Sequence, residues 1–521
     1  MKKFLFILAV LLFITATSTA WAKAILYVPI DNRPVSLAYP TDTVKAANFD
    51  ILSPPIEYLA SAGQSGDPER LWQWLEKNAN NADAMVLSAD SLIYGGLVDS
   101  RTHDFSSVVL EWRLQRFNKL KAIAPDARIY VFTTIMRTPR ASNGGVEPLY
   151  YATYGGQIFQ LTALQDKAEV QGLTGEEQAM LETAAKAVPP EFLADWFKRR
   201  GKNYKVNAGL INLTKAGKID FLLVGRDDTS PFSQSHKESR LLAKLAEGLS
   251  ADQYASFPGA DQLGMVLLAR AYNELTNQKP IVKIEYALGK GPATLASYED
   301  QPIDRTILEL IKAAGAEVAN GRVKPDLLLA VNTPLTGNTP EAEIFDNIAM
   351  PSQTVSQFVD AIERGIQAGT PVAVADIAFA NGADNSLLHE LFARGLLDKL
   401  HAYSGWNTAS NTLGYAVGQG MLAREMPLDE RKRLLAIRYL DDWAYQANLR
   451  KEIYRELLYS HQSYSEFIGE LEPQIAQETE RRIRQFAQQY LLAPPEKIHI
   501  SFPWHRMFEI SVEIDPKQPA N

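Results

Sequence analysis

The sequence alternates short apolar runs rich in β-branched residues with longer segments of helical periodicity, and this alternation constrains the fold most. Such a pattern is typical of parallel strands joined by crossover helices. Nine runs are predicted strands: 24–30, 50–52, 84–88, 128–134, 219–224, 281–286, 326–331, 372–376 and 400–403. Helices are predicted between them, for example at 68–78, 106–124, 237–249, 304–314, 352–367 and 386–394. The chain is therefore expected to be an α/β protein.

Two parts of the chain depart from this alternation. A longer helical stretch at about 155–217 follows the fourth predicted strand, and we interpret it as an insertion. After about Met426 the pattern becomes helical and then ends with a short strand pair at 498–502 and 508–514. We therefore expect a catalytic α/β region at 23–425 and a mainly helical C-terminal region at 426–521.

The number of strands leaves two architectures open. Nine strands are one more than a (β/α)8 barrel needs, and we expect a (β/α)8-like barrel with additions. The alternative is two doubly wound α/β domains that divide near Gln278. Both architectures place a ligand at the carboxyl ends of the strands, because the connecting loops and the helix N-termini meet there.

Polar clusters follow seven of the predicted strands at that end. They are Asp31-Asn32-Arg33-Pro34, Ser88-Ala89-Asp90-Ser91 with Tyr94, Arg137-Thr138-Pro139-Arg140, Arg226-Asp227-Asp228-Thr229, Asn332-Thr333-Pro334, Asp376 with Asn381-Gly382-Ala383-Asp384, and Gly405-Trp406-Asn407-Thr408 with Asn411. Any one cluster could simply cap the next helix or form a turn. Seven clusters at one edge, with carboxylates, amides, arginines and an indole, indicate a binding site for a sugar, whose hydroxyls need hydrogen bonds and whose ring faces stack on aromatic groups.

We take twelve of these residues as candidates for substrate binding. They are Asp31, Asn32, Arg33, Asp90, Tyr94, Arg137, Asn332, Asp376, Asn381, Asp384, Trp406 and Asn407. Two of them have a structural alternative: Arg33 could form a buried ion pair with Asp31, and Trp406 could be a packed core side chain.

Asp227 and Asp228 are the candidate catalytic residues. Two carboxylates a few ångströms apart do not easily both ionise, so the pKa of one should rise and give an acid that protonates a leaving group near neutral pH. The other, left ionised, would stabilise positive charge. The structural alternative is a helix cap with an ion pair to Arg226.

No cofactor is expected. The absence of cysteine excludes thiolate nucleophiles, Cys-ligated zinc and iron–sulfur clusters. The serine-hydrolase elbow, the P-loop and the dinucleotide-binding glycine motif do not occur as strand-to-helix turns. An oxygen-ligated Mg²⁺ or Ca²⁺ held by Asp31, Asp90 and Asp376 is kept as an alternative.

The N-terminus and the charge bear on location and partners. Residues 1–22 have a basic start, an apolar run at 4–14 and a small-residue end at Ala22, which is a bacterial secretory signal pattern. We expect a periplasmic or secreted protein without stable membrane insertion after cleavage, since no later run reaches the ~20 apolar residues of a membrane span. The 53 Lys and Arg against 61 Asp and Glu argue against nucleic acid as a partner.

Several motifs together resemble a bacterial family, domain of unknown function 4127. They are Pro29-x-Asp31-x-Arg33-Pro34-Val35, Asp90-Ser-Leu-x-Tyr94-Gly-Gly96, Arg226-Asp-Asp228-Thr, Pro258-Gly-Ala-Asp261, Asn381-Gly-Ala-Asp384 and Gly405-Trp-Asn-Thr408. This resemblance spans nearly all of the mature chain and implies no particular activity. The paired aspartates are also similar to those of β-N-acetylhexosaminidases, and that looser similarity implies that Asp227 orients an acetamido group and Asp228 is the acid/base.

These observations favour an exported glycoside hydrolase that acts on an amino sugar or related glycan through Asp227 and Asp228. Two other hypotheses stay open. One is a glycan-binding or cell-wall-binding protein without catalysis. The other is a metal-dependent hydrolase that uses Asp31, Asp90 and Asp376.

Overall fold

A computed structural model describes residues 23–141, 145–321, 323–459, 467–491 and 495–515. The predicted signal segment 1–22 lies outside the described residues. Two open sheets of parallel strands organise the chain, and helices cover them. None of the helices in the described ranges combines the length and the apolar character that crossing a membrane requires.

The first sheet has six parallel strands in the order β2-β1-β3-β4-β5-β6. Their bounds are β1 Ala24–Val28, β2 Asp50–Leu52, β3 Ala84–Ser88, β4 Arg128–Ile135, β5 Phe221–Arg226 and β6 Tyr254–Pro258. Strands β1, β3, β4 and β5 are almost entirely buried, as expected for a parallel sheet that is covered on both faces. Their continuous apolar runs made these four strands recognisable in the sequence.

The helices of this half include the predicted insertion, which consists of three helices. The bounds are α1 Ala38–Ala46, α2 Pro68–Asn78, α3 Ala89–Ile93, α4 Asp99–Thr102, α5 Ser107–Gln115, α6 Phe117–Ile123, α7 Tyr151–Val170, α8 Gly175–Ala187, α9 Pro190–Lys215, α10 Gln234–Leu245 and α11 Leu263–Leu275. Helices α7, α8 and α9 form the insertion. A capping box at Thr174 and Glu177 begins α8, and Pro190 begins α9 at a position where a proline costs no hydrogen bond.

The second sheet has five parallel strands in the order β8-β7-β9-β10-β11. The strands are β7 Ile281–Tyr286, β8 Glu317–Val318, β9 Leu327–Asn332, β10 Val372–Asp376 and β11 Ala402–Ser404, with helices α12 Ile303–Ala313, α13 Gln353–Gln367, α14 Asn385–Ala393 and α15 Ala409–Leu422. The first five strands of each sheet, taken in chain order, follow the same 2-1-3-4-5 arrangement. The strand order therefore reverses beside β1 in one sheet and beside β7 in the other, and such a reversal opens a crevice at the carboxyl ends of the strands.

The closed barrel that we expected is wrong. Within the described ranges, β2 and β6 are the edges of the first sheet, and β7 pairs with β8 and β9 instead of with β6. The chain leaves β6 through α11 and then begins a new sheet. The strand arrangement agrees with the alternative of two doubly wound units, which divide between α11 and β7.

The two sheets share one core through two helices. Helix α11 is buried along almost its whole length and contacts β3 and β4, while α15 is buried throughout and contacts β9, β10 and β11. The two helices pack closely, because Gly414 of α15 has no side chain where Gln262 approaches. One apolar cluster consequently runs from Ile25 in the first sheet to Val331 in the second.

The C-terminal region is helical and ends in a hairpin. It contains α16 Leu428–Arg438, a π-helix Tyr439–Leu449, α17 Arg450–Ile453, a π-helical turn Tyr454–Leu458, α18 Glu472–Tyr490, and the antiparallel strands β12 Ile498–Ser501 and β13 Ser511–Ile514. The hairpin loop brings Trp504, Arg506 and Phe508 to the carboxyl ends of the strands.

Candidate functional site

A cleft of about 1450 Å³ opens where the carboxyl ends of the two sheets face each other. Asp31 follows β1, Arg137 follows β4, and Asp227 and Asp228 follow β5. On the other side, Asn381 and Asn407 follow β10 and β11. The cleft is therefore formed by loops from both halves of the chain.

Asp227 and Asp228 both face this cleft, although they are neighbours in sequence. Asp227 accepts a hydrogen bond from Nη2 of Arg101 at 2.5 Å, and its side chain is 9% exposed. Asp228 accepts from Nη1 of Arg137 at 2.6 Å, and its side chain is 24% exposed. The two carboxylates thus have different arginine partners and different access to solvent.

A tight turn allows both side chains to reach the cleft. Asp228 has a φ of +33°, in the left-handed region that a non-glycine residue rarely adopts. The next residue, Thr229, donates its backbone N–H to the carbonyl oxygen of Tyr298 at 3.1 Å. Such strain persists only where surrounding contacts hold it, and it is common at functional sites.

The second half of the chain supports this turn through Asp300. Its carboxylate accepts hydrogen bonds from Arg226 and from the hydroxyl of Thr229, and it lies 2.8 Å from Nδ1 of His236. Burial alone would raise the pKa of Asp300, but Arg226 and His236 hold that pKa below its ordinary value. Asp300 is thus an ionised anchor behind the turn.

Two acids in the cleft wall hold their protons to higher pH than usual. Burial raises the pKa of Asp228, the charge of Asp227 adds to this effect, and Arg137 opposes it. Burial also raises the pKa of Glu299 to about 8, although Ser410 donates both its N–H and its hydroxyl to that carboxyl group. Glu299 is therefore mainly protonated at neutral pH, and Asp228 is the more exposed of the two.

Arg33 forms the centre of the cleft floor. Its guanidinium bonds to Asp31 and Asp261, lies 3.8 Å from Glu509, and stacks against the ring of Trp504. Three separate segments of the chain meet at this side chain: the loop after β1, the loop after β6 and the C-terminal hairpin loop. Burial raises the pKa of Asp261, and Arg33 opposes that change.

Several polar atoms in the cleft wall lack a protein partner. The side-chain oxygens Ser230 Oγ, Asn381 Oδ1 and Thr408 Oγ1 are buried and accept or donate no hydrogen bond within the described ranges. All three residues line the cleft. Leaving a buried polar atom unpaired costs on the order of 1–3 kcal/mol, which makes such atoms candidates for bonds to a ligand.

Apolar side chains surround the entrance. Leu149 is 85% exposed, Phe467 53% and Tyr298 42%, and each lines the cleft. Trp504, in contrast, is only 6% exposed, and the guanidinium groups of Arg33 and Arg506 both lie over its ring. The exposed rings at the entrance are those of Phe467 and Tyr298.

The structure brings seven of the fourteen candidate site residues to the cleft lining. They are Asp31, Arg33, Arg137, Asp227, Asp228, Asn381 and Asn407. Their convergence follows from their shared position after strands of the two sheets.

The other seven candidates do not line the cleft. They are Asn32, Asp90, Tyr94, Asn332, Asp376, Asp384 and Trp406. Trp406 is only 1% exposed and packs against Tyr415 and Phe508. Asn32 accepts a hydrogen bond from the indole N–H of Trp504 at 2.7 Å.

Asp376 and Asp90 are centres of buried networks instead. Asp376 accepts bonds from Asn332, from the Tyr403 hydroxyl and from the backbone N–H of Asp384, and burial raises its pKa to about 7. Asp384 also caps α14. Asp90 accepts from the Thr134 hydroxyl, and burial likewise raises its pKa to about 7. These bonds fix the loops that carry the cleft residues.

Asp261, Glu299 and Arg101 line the cleft but were not among the candidates. Asp261 follows β6, a short strand without a clear apolar run, although the motif Pro258-Gly-Ala-Asp261 was visible. Glu299 lies in a loop and Arg101 in the four-residue helix α4, and only tertiary packing brings them here. The sequence around Glu299 and Arg101 carries no local signal of a site.

A metal site needs several ligand side chains close together. In the ranges that the structure describes, no three or more His, Asp or Glu side chains are placed to hold a metal. Asp90 and Asp376 have the separate networks given above, while Asp31 bonds to Arg33. The metal-dependent hydrolase stays a prediction.

Comparisons with known proteins give one match. A family model described as a protein of unknown function (DUF4127) matches residues 25–513. No curated protein and no solved structure matches the chain at a significant level. The looser similarity to β-N-acetylhexosaminidases is not supported. Because the match covers nearly all of the sequence, the chain belongs to the DUF4127 family.

Proposed function

We propose that this protein is a glycoside hydrolase that acts on an amino sugar or related glycan in the cleft between the two sheets. The observation that carries the proposal is that Asp227 and Asp228 share one cleft but have different arginine partners and different exposure. Paired carboxyl groups in unlike environments are what glycoside hydrolysis requires.

In the proposed reaction Asp228 is the general acid. Its raised pKa and its 24% exposed side chain suit a group that gives a proton to the glycosidic oxygen. The bond between that oxygen and the anomeric carbon then breaks. The carboxylate of Asp227, held by Arg101, stabilises the positive charge that develops on the sugar. A water molecule then attacks the anomeric carbon. Its oxygen and one hydrogen stay on the sugar as a hydroxyl group, and its other proton goes to the carboxylate of Asp228.

The polar atoms of the cleft wall suit a ligand that is rich in hydroxyl groups. Ser230, Asn381 and Thr408 carry unpaired polar atoms, and a sugar hydroxyl both donates and accepts hydrogen bonds. The exposed rings of Tyr298 and Phe467 suit the apolar faces of a pyranose. Export, which is predicted from residues 1–22, would bring the enzyme to extracellular or periplasmic glycans.

The test is the hydrolysis of chromogenic amino-sugar glycosides by the purified protein. Replacing the acid in Asp228→Asn should lower kcat/KM by at least ~100-fold. Asp360→Asn is the matched control, because Asp360 also pairs with an arginine but lies outside the cleft lining. Full activity in Asp228→Asn would exclude this assignment.

Binding without turnover is the second candidate function. It is favoured by the ion pair between Arg137 and Asp228, since the charge of Arg137 opposes the rise in the pKa of Asp228 and an ionised Asp228 has no proton to donate. In that case a glycan should bind saturably without product, and Asp228→Asn should leave its affinity unchanged.

A further inference from the structure

One wall of the cleft carries three arginines from two segments of the chain. Arg137 and Arg140 lie three residues apart after β4, and Arg101 lies in α4. Arg137 is 19% exposed and Arg101 is 4% exposed on their side chains, while Arg140 is exposed. Arginine provides a planar set of donors that matches the two oxygens of a carboxylate.

Two of these arginines are already neutralised. Arg101 pairs with Asp227, Arg137 pairs with Asp228, and the carboxylate of Glu147 lies between the two guanidinium groups. When Asp228 holds the proton that the proposed reaction needs, Arg101 and Arg137 balance Asp227 and Glu147. The charge of this group of four is then zero.

Arg140 is the cation that remains. No acidic side chain in the described part of the chain pairs with it, and its guanidinium lies over the ring of Phe159, 4.9 Å from the centroid. This contact orients the guanidinium without neutralising it. On the cleft floor the balance of charge is opposite, since the single guanidinium of Arg33 faces the two carboxyl groups of Asp31 and Asp261. An anionic group of a ligand should therefore bind at the cleft wall that carries Arg140 and not at the cleft floor.

We infer that the glycan recognised by this cleft carries a carboxylate, which Arg140 and Arg137 bind. This inference names the substrate class of the proposed function and rests on it. A sugar carboxylate beside Arg137 also competes with Asp228 for the same guanidinium and favours the protonated form of Asp228. Binding of an acidic sugar therefore favours the protonated form of Asp228, and protonation of Asp228 in turn favours binding of the acidic sugar.

The test measures binding of two matched pairs of sugars by calorimetry. N-acetylmuramic acid differs from N-acetylglucosamine by a lactyl carboxylate, and glucuronic acid differs from glucose by a carboxylate at C6. A charge-assisted hydrogen bond from Arg140 should make at least one acidic sugar bind about 10-fold more tightly than its neutral partner. The pair that shows this preference identifies which kind of carboxylate the cleft takes.

The variant Arg140→Gln should remove that preference and leave the affinity for the neutral sugar unchanged. The matched control is Arg305→Gln, because Arg305 is an exposed arginine on α12 outside the cleft lining. Thermal unfolding of both variants checks that the fold is intact. Equal affinities within each pair, no binding of either acidic sugar, or an equal loss for acidic and neutral sugars in Arg140→Gln would each overturn the inference.

The result is independent of catalysis, since free monosaccharides contain no bond to hydrolyse. A preference for acidic sugars without any glycosidase activity would contradict the proposed enzyme and keep the carboxylate site. Hydrolysis of neutral glycosides without any such preference would contradict the carboxylate site alone.

Discussion

The guanidinium of Arg33 joins Asp31 and Asp261, with its Nη2 atom 2.7 Å from Oδ2 of Asp31 and 2.5 Å from Oδ1 of Asp261. Asp31 follows the inner strand β1, whereas Asp261 follows the edge strand β6. Three strands separate β1 and β6 in the sheet. One buried side chain therefore ties together loops from separate parts of the sheet, at the floor of the cleft.

Replacing Arg33 should destabilise the protein strongly. Arg33→Met keeps much of the volume but leaves Asp31 and Asp261 buried without a counter-charge, so we expect a loss of about 3–5 kcal/mol in the free energy of unfolding. Denaturant unfolding measures this. The control is Arg70→Met, whose ion pair with Asp67 is exposed and should contribute no more than about 1 kcal/mol. Similar small losses in both variants would show that the Arg33 cluster does not hold the cleft floor.

The close packing of α11 on α15 makes a second prediction about stability. A Cβ atom at Gly414 would lie 2.3 Å from Cγ of Gln262, so Gly414→Ala should push the helices apart and cost about 1–3 kcal/mol. Gly201→Ala is the control, because Gly201 is also helical but a Cβ there meets open space. That change should stabilise α9 by about 0.5–1 kcal/mol. Thermal unfolding of the two variants tests this: Gly414→Ala should lower the stability and Gly201→Ala should raise it. Changes of the same sign would contradict the prediction.

The parallel strands could be predicted because their apolar runs are long and β-branched. All nine predicted strands are present, and the two that were missed are β6 and β8. Three of the five residues of β6 are partly exposed, and β8 has only two residues. The nine predicted strands are one more than a (β/α)8 barrel needs, and this number is compatible with both the barrel and two doubly wound units. Periodicity shows that a strand exists but not which strand it pairs with, so it does not distinguish one closed sheet from two open ones.

The site could be predicted only in part, for a similar reason. The rule that ligands bind at the carboxyl ends of parallel strands selected Asp227, Asp228 and Arg137, and all three line the cleft. The same rule also selected Asp376 and Asp90, whose side chains instead accept hydrogen bonds from the neighbouring strands β11 and β4. The direction in which a polar side chain turns depends on tertiary partners that are distant in sequence. Glu299 has such a partner in Ser410, and nothing local indicated it.

The raised pKa of Glu299 predicts a dependence of stability on pH. Its pKa is about 8 in the folded protein against an ordinary value of 4.5, so the folded state holds a proton that the unfolded state has released between these values. The contribution of Glu299 to stability is therefore fully present below about pH 4.5 and falls as the pH rises toward 8. One such proton changes the free energy of unfolding by at most about 1.4 kcal/mol per pH unit.

Glu299→Gln should remove this contribution. The amide can accept from the N–H of Ser410 and donate to its hydroxyl, so both contacts have a neutral replacement. When denaturant unfolding is measured from pH 5 to pH 8, the free energy of unfolding should decline less steeply with pH in Glu299→Gln than in the wild type. Glu191→Gln, on the exposed surface of α9, should keep the original slope. Parallel curves for the wild type and Glu299→Gln would show that Glu299 is ionised throughout this range.

Arg137 should set the alkaline limit of activity if Asp228 is the general acid. A general acid must carry its proton, so kcat/KM falls as the pH rises past the pKa of Asp228. The guanidinium of Arg137 lowers that pKa through its charge and its hydrogen bond. Arg137→Gln removes both effects, raises the pKa of Asp228 further, and should therefore move the alkaline limb of the pH profile to higher pH.

The measurement uses a neutral glycoside as substrate, so that a contact between Arg137 and a substrate carboxylate does not contribute. Arg394→Gln is the control, because Arg394 also pairs with carboxylates but lies outside the cleft lining. Its profile should match that of the wild type. A shift of the limb to lower pH in Arg137→Gln, or no shift while Asp228→Asn is inactive, would mean that another group donates the proton. Glu299, protonated at neutral pH in the same cleft, would then be the acid to replace next.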